Sequence, residues 1–201
     1  MRNALLVCFG AVALAGCALL GKSEPSVPHY FTPEFDGSPA VPRAPPGLQL
    51  RLGRVEGWSH LRERMVSRGA AGELSYSDDR RWTERPEVYL RRALSRALFE
   101  ERGLVEALTG RAITLEVELI AFEEIERPHV VCMQALLTLG DDRLLFFRET
   151  VTVEQPVAPG EGAGQEQAVV EAFSTVLRTG VARMADQVMA QLSERSSQAS
   201  K

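Results

Sequence analysis

Cysteine is scarce in this 201-residue chain, and the three present are poorly placed for cross-linking. Cys8 and Cys17 lie in the opening segment, which leaves Cys132 without an internal disulfide partner even in an oxidising compartment. A disulfide-stapled fold is excluded, and Cys132 reads as a small core residue. Histidine is also sparse. His29, His60 and His129 are scattered, and none forms the short-spaced ligand pattern that zinc requires, so no metal site is expected. An excess of basic charge is missing as well: 23 basic residues stand against 27 acidic ones. A mildly acidic protein is not a bulk nucleic-acid binder. The opening apolar run is too short to cross a bilayer, which needs about 20 apolar residues, because Gly21-Lys22-Ser23-Glu24-Pro25 stops it.

The same opening segment organises what is present. A basic start, Met1-Arg2-Asn3, precedes the uncharged residues 4–14, the layout of a secretory signal. Directly behind it, Leu14-Ala15-Gly16-Cys17 resembles the bacterial lipobox. That resemblance implies a diacylglyceryl group on the Cys17 thiol, cleavage before it, and acylation of the freed amine with chains of the palmitate type. Two or three acyl chains, at about 0.8 kcal/mol per buried methylene, hold a protein firmly. Ala18-Leu19 lacks the aspartate that resembles an inner-membrane retention signal, so the periplasmic face of the outer membrane is expected. Residues 1–16 are thus a signal peptide and 17–28 a tether.

Behind the tether, length permits one domain, expected over 29–192, large enough to fold without metal or disulfide. Tyr30-Phe31-Thr32 reads as a short strand, followed by a stiff proline-rich segment, 33–47. Leu48, Leu50 and Leu52 alternate with polar partners, as on a half-buried strand. Strands at 63–67 and 73–77 bracket Arg68-Gly69-Ala70-Ala71-Gly72 as a hairpin. A helix follows, with Thr83 as the expected N-cap and Pro86 in its first turn. Leu90, Leu94 and Leu98 line its apolar face, and Gly103 ends it. Ile113 to Leu119, Val130 to Leu139 and Leu144 to Val153 form an antiparallel meander, the middle one central because it is apolar on both faces. A last helix is expected from Gln165 to Leu192, with 193–201 a disordered tail. The predicted class is α+β: a mostly antiparallel sheet with both helices on one face.

Several phrases then resemble a known family, the auxiliary lipoprotein of MCE-type ABC transport systems, its paraquat-inducible-type group being nearest. They are Met65-Val66-Ser67-Arg68, Gly72-Glu73-Leu74-Ser75-Tyr76, Arg81-Trp82-Thr83-Glu84-Arg85-Pro86, the run Leu115 to Glu123, and Glu154-Gln155-Pro156-Val157. With the lipobox and Tyr30-Phe31-Thr32 the resemblance spans nearly the whole chain. It implies a non-catalytic subunit on the outer membrane that engages a periplasmic MCE-domain protein, with lipid or other hydrophobic cargo, and implies that assembly into a ring is open to it. It assigns no partner-facing residue and no cofactor beyond the lipid on Cys17.

Enzymatic alternatives find little support. Gly57-Trp58-Ser59-His60 begins like a nucleophile elbow, but Leu61 stands where the closing glycine belongs, so Ser59 reads as a turn serine. Glu123-Glu124-Glu126 and Asp78-Asp79 read as a strand end and a turn rather than tuned acids. The arginines 80, 81, 85, 91, 92 and 96 could meet anionic head groups, yet Asp78, Asp79, Glu84 and Glu87 favour a charge-paired surface. Trp82 reads as a lid under the helix start, with a partner anchor as the other reading. A scaffold for a different envelope assembly is the alternative function.

Overall fold

The structure, a computed structural model, describes residues 27–34, 44 and 47–199. The signal segment, Cys17, most of the tether and most of the proline-rich segment lie outside the described residues. Within them the order is β1 (His29–Phe31), β2 (Gln49–Gly57), β3 (Arg64–Arg68), β4 (Leu74–Trp82), α1 (Pro86–Ser95), β5 (Val105–Glu106), β6 (Thr114–Ile125), β7 (Val130–Gly140), β8 (Leu145–Pro156) and α2 (Ala163–Ala199). A π-helical turn, Arg96–Glu101, extends α1 before Gly103 ends it at φ +72°.

The eight described strands form one open sheet. β6, β7 and β8 are the expected antiparallel meander, with β7 in the middle. On the other side of β6, β2 and β3 follow one another along the same edge, both parallel to it. β5 then pairs with β2, while β4 and β1 extend the sheet beyond β3. Most paired residues are antiparallel. The parallel pairs depend on long crossovers, β2 reaching β6 only after the β3–β4 hairpin and α1 have intervened.

Alternation decides which face is buried. Leu115, Val117 and Leu119 of β6 share one face with Leu139, Leu137 and Ala135 of β7. A bulge between Leu119 and Ala121 shifts the count by one, so that Phe122 rather than Ala121 continues the apolar row opposite Met133. Both helices lie on this face, and their apolar stripes join the strands in a single cluster. Its aromatic centre is Trp82, with Phe173 of α2 at 4.9 Å, Phe122 of β6 at 5.5 Å and Tyr89 of α1 at 6.3 Å between ring centroids.

Two expectations need correction. Thr83 does not cap α1: the cap residue is Arg85, extended at ψ 145°, and no side chain bonds there. Proline restricts the residue before it to extended conformations, so Pro86 fixes the start two residues later. The Thr83 hydroxyl instead shares a 2.7 Å hydrogen bond with the Tyr89 hydroxyl. Nor are residues 193–199 a disordered tail, because α2 runs to Ala199. Ser193 and Ser197 donate to the carbonyls of Met189 and Ser193, one turn back, and so fit within the helix. Arg195 fastens this end, its Nη2 2.8 Å from Asp141 and its guanidinium 4.0 Å from the centroid of Phe146.

Candidate functional site

The residues singled out for chemistry are dispersed. Ser59 is exposed in the turn after β2, where its carbonyl accepts from Arg62 Nε. His60 stacks edge-on with Trp58 at 6.4 Å. His129 lies 2.7 Å from Glu124, which also accepts from Arg80, and His29 sits 3.7 Å from Glu166. Among the described residues no three His, Cys, Asp or Glu side chains are placed to share a metal ion. Asp78 pairs with Arg64, and Ser77 donates to Asp79, holding that carboxyl below its usual range.

The arginine-rich helix face is charge-paired. Arg92 contacts Glu84, Arg85 lies 2.9 Å from Glu87, and Arg91 donates to the Gly53 carbonyl. Trp82 is fully buried beneath the start of α1, as a lid and not as an exposed anchor.

On the sheet face opposite the helices, Glu123 is buried at 3% exposure and held in a fork by Arg68: Nε to Oε1 at 2.6 Å and Nη2 to Oε2 at 3.0 Å. Glu123 stands opposite Cys132, which in turn stands opposite Glu154. Burial first, then these two carboxylates, push the Cys132 thiol up to about 11. It is therefore a protonated, weakly reactive thiol at neutral pH.

Four exposed apolar side chains lie at one end of the sheet, where β2, β5 and β6 begin and the β7–β8 hairpin turns, while Val27, Tyr30, Trp58, Tyr76 and Val88 are exposed elsewhere. Leu108 is 81% exposed, Leu145 68%, Leu144 57% and Val105 48%. This end is firmly built. Arg51 donates to the carbonyls of Ala107 and Gly110, Val105 N–H bonds Leu48, and Ala107 N–H bonds Leu50. In the hairpin turn Asp141 accepts the N–H groups of Arg143 and Leu144, which depress its pKa. An open cleft of about 590 Å³ lies between residues 111–113 and 141–143, with Arg111 and Asp142 3.6 Å apart across it. Exposed leucines on a hydrogen-bonded rim make this end a candidate contact surface. Alternation could not reveal it, because Leu108 and Leu144 belong to connections.

The chain also has a direction relative to this end. β1 runs with β4, against β3, and hence against β6. His29 therefore stands toward the end of the sheet where β6 finishes, opposite to the end where β6 starts.

An open mixed sheet with both helices on one face defines an α+β protein of one sheet. The model of the family described as "ABC-type transport auxiliary lipoprotein component" matches residues 34–189, and the chain belongs to that family. The fold is shared with a crystal structure of a Xanthomonas campestris protein at TM-score 0.66 and 17% identity, covering 85% of this chain and 99% of that one. A second crystal structure, of an uncharacterized protein, is similar at TM-score 0.63 and 15% identity, covering 81% and 99%. A comparison with curated proteins finds no match.

Proposed function

We propose that this chain is the lipid-anchored, periplasmic auxiliary subunit of an MCE-type ABC transport system, docking the MCE-domain protein at the outer membrane so that lipid or other hydrophobic cargo can cross the envelope. The carrying observation is the family match over residues 34–189, joined to a lipobox at Cys17. Its role is binding rather than catalysis, and it requires no cofactor beyond the covalent lipid. The docking surface is the end bearing Leu108, Leu144 and Leu145. Two features support this: those side chains are exposed on a hydrogen-bonded rim, and β1, the first described strand, begins at the other end of the sheet.

Affinity purification from crosslinked native membranes tests the reading. An MCE-domain protein is expected to be recovered with the wild-type chain, and the pair Leu108→Asp and Leu145→Asp should lower recovery about tenfold or more, as for apolar contact residues. Both side chains are exposed, so the melting temperature should hold. If no MCE-domain protein is ever recovered the functional reading fails; undiminished recovery by the double variant would remove only the assignment of the surface.

A further inference from the structure

Of the arginines at 80, 81, 85, 91, 92 and 96, all but one are engaged. Arg80 meets Glu124, Arg85 meets Glu87, Arg92 meets Glu84 and Arg96 meets Glu101, while Arg91 donates to the Gly53 carbonyl. Arg81 is the exception. Among the described residues its side chain has no ion-pair or hydrogen-bond partner, and its Nε is buried and unsatisfied. A guanidinium partly withdrawn from water without a compensating partner is unusual in a folded protein.

The sheet places a second arginine directly beside it. Arg81 of β4 pairs in register with Arg64 of β3 and, on its other side, with Tyr30 of β1. Their chain neighbours Trp82, Met65 and Phe31 pack in the core, so by alternation Arg81, Arg64 and Tyr30 share the sheet face opposite the helices. The Trp82 N–H bonds the Glu63 carbonyl, which makes Arg64 and Arg81 a non-hydrogen-bonded pair, the kind whose side chains stand closer together. Like charges directly opposite one another destabilise a sheet. Arg64 is held: its Nε donates to the Ser77 carbonyl at 2.8 Å and its Nη2 to the Tyr76 carbonyl at 3.2 Å. It also pairs with Asp78 and lies over the Tyr76 ring at 5.9 Å. Among the described residues nothing comparable offsets Arg81, and Tyr30 is 62% exposed, so the row opens to solvent.

We propose that Arg81, Arg64 and Tyr30 form a binding site for an oxyanion of the phosphate class, carried by a phospholipid head group or by a small phosphate. The Arg81 guanidinium supplies charge and a planar fork of N–H donors that phosphate oxygens accept in pairs. The Tyr30 hydroxyl donates from one side, and Arg64 adds positive potential from the other. An anion seated in this row replaces the repulsion between two guanidiniums with an attraction to each. Phosphate suits the row better than carboxylate, because its additional oxygens can meet donors from three side chains. Net charge does not explain such binding, since 27 acidic residues outweigh 23 basic ones. The affinity is a property of the local row.

The test uses the lipidated full chain in non-ionic detergent, with phenylglyoxal as an arginine reagent and mass spectrometry as the readout. Inorganic phosphate and short-chain phosphatidylglycerol are titrated separately. Near-saturating ligand should slow modification of Arg81 about tenfold, as mass action requires at about ten times Kd, while Arg111, 83% exposed, keeps its rate. Protection by phosphatidylglycerol alone supports the site and assigns it to a lipid head group; protection by inorganic phosphate supports it and assigns recognition to the phosphate group itself. No protection by either probe, or equal slowing at Arg111, overturns the proposal. In equilibrium dialysis of the protecting probe, Arg81→Gln should weaken binding about tenfold or more, and Arg81→Lys, which keeps the charge without the fork, should fall between. Arg81→Gln should melt no lower than wild type, because it removes a like charge from opposite Arg64. A lower melting temperature would mean that the fold already uses this guanidinium, and undiminished binding would mean that the anion sits elsewhere; either result overturns the proposal. The inference does not rest on the transport reading: the leucine-end variants should bind the probe as wild type does, and Arg81→Gln should still recover the MCE-domain protein.

Discussion

Cys132 shows how far a single residue can be read in advance. The sequence marks it as an unpaired, small, buried side chain, and it is buried and free. What spacing could not tell is the face. Cys132 belongs to the row opposite the helices, where Glu123 and Glu154 flank it in register, because pairing partners come from distant strands. Its thiol pKa, pushed up to about 11 mainly by burial, sets the chemistry. The folded protein is expected to resist iodoacetamide at pH 8 and to be alkylated at Cys132 fully in urea, as read by mass spectrometry. The linkage has a definite sign. The unfolded thiol loses its proton near the ordinary value of about 8.5, while the folded one retains it, so stability falls as pH climbs from there toward about 11. Rapid alkylation of the folded chain at pH 8 would contradict this account.

At the scale of elements, the start of α1 joins a correct reading to an incorrect one. Pro86 and the apolar spacing of Leu90 and Leu94 place the helix, and Trp82 lies under it as expected. Thr83 was a poor guide to the cap because its hydroxyl is engaged by Tyr89, a contact made only once the helix has packed. The same cause hides the last turns of α2, whose serines suggest a tail until Arg195 meets Asp141 and Phe146. It also hides the parallel placement of β2 and β3 on β6: a period of two assigns faces but not neighbours. Trp82 tests this element directly. It touches rings from α1, α2 and β6 at once, so Trp82→Ala should cost about 3–5 kcal/mol in urea unfolding, the range for truncating a buried aromatic. A loss below about 1 kcal/mol, within reach of ordinary surface substitutions, would show that the aromatic centre does not hold the layers together.

For the whole molecule, the expected anchor and the apolar end have to be told apart. The lipobox at Cys17 is an expectation from four residues outside the described ones, whereas the apolar end was not legible, since Val105, Leu108, Leu144 and Leu145 reach one end of the sheet only through the β5–β2–β6 pairing and the β7–β8 turn. In the proposed function the two features divide the work, Cys17 as the expected anchor and the leucine-bearing end as the docking surface. Separating them experimentally requires a change that touches the anchor and leaves the folded domain intact. Cys17→Ala meets that need, because Cys17 precedes the domain expected from residue 29 onward. The variant should keep residues 1–16, incorporate no radiolabelled palmitate and be lost from the outer-membrane fraction. Its melting temperature should match wild type, and in detergent it should still bind the MCE-domain protein. Labelled, mature-sized Cys17→Ala protein would remove the anchor from this residue. Loss of binding with an intact fold would instead mean that the lipid takes part in docking, and that the two ends do not act independently.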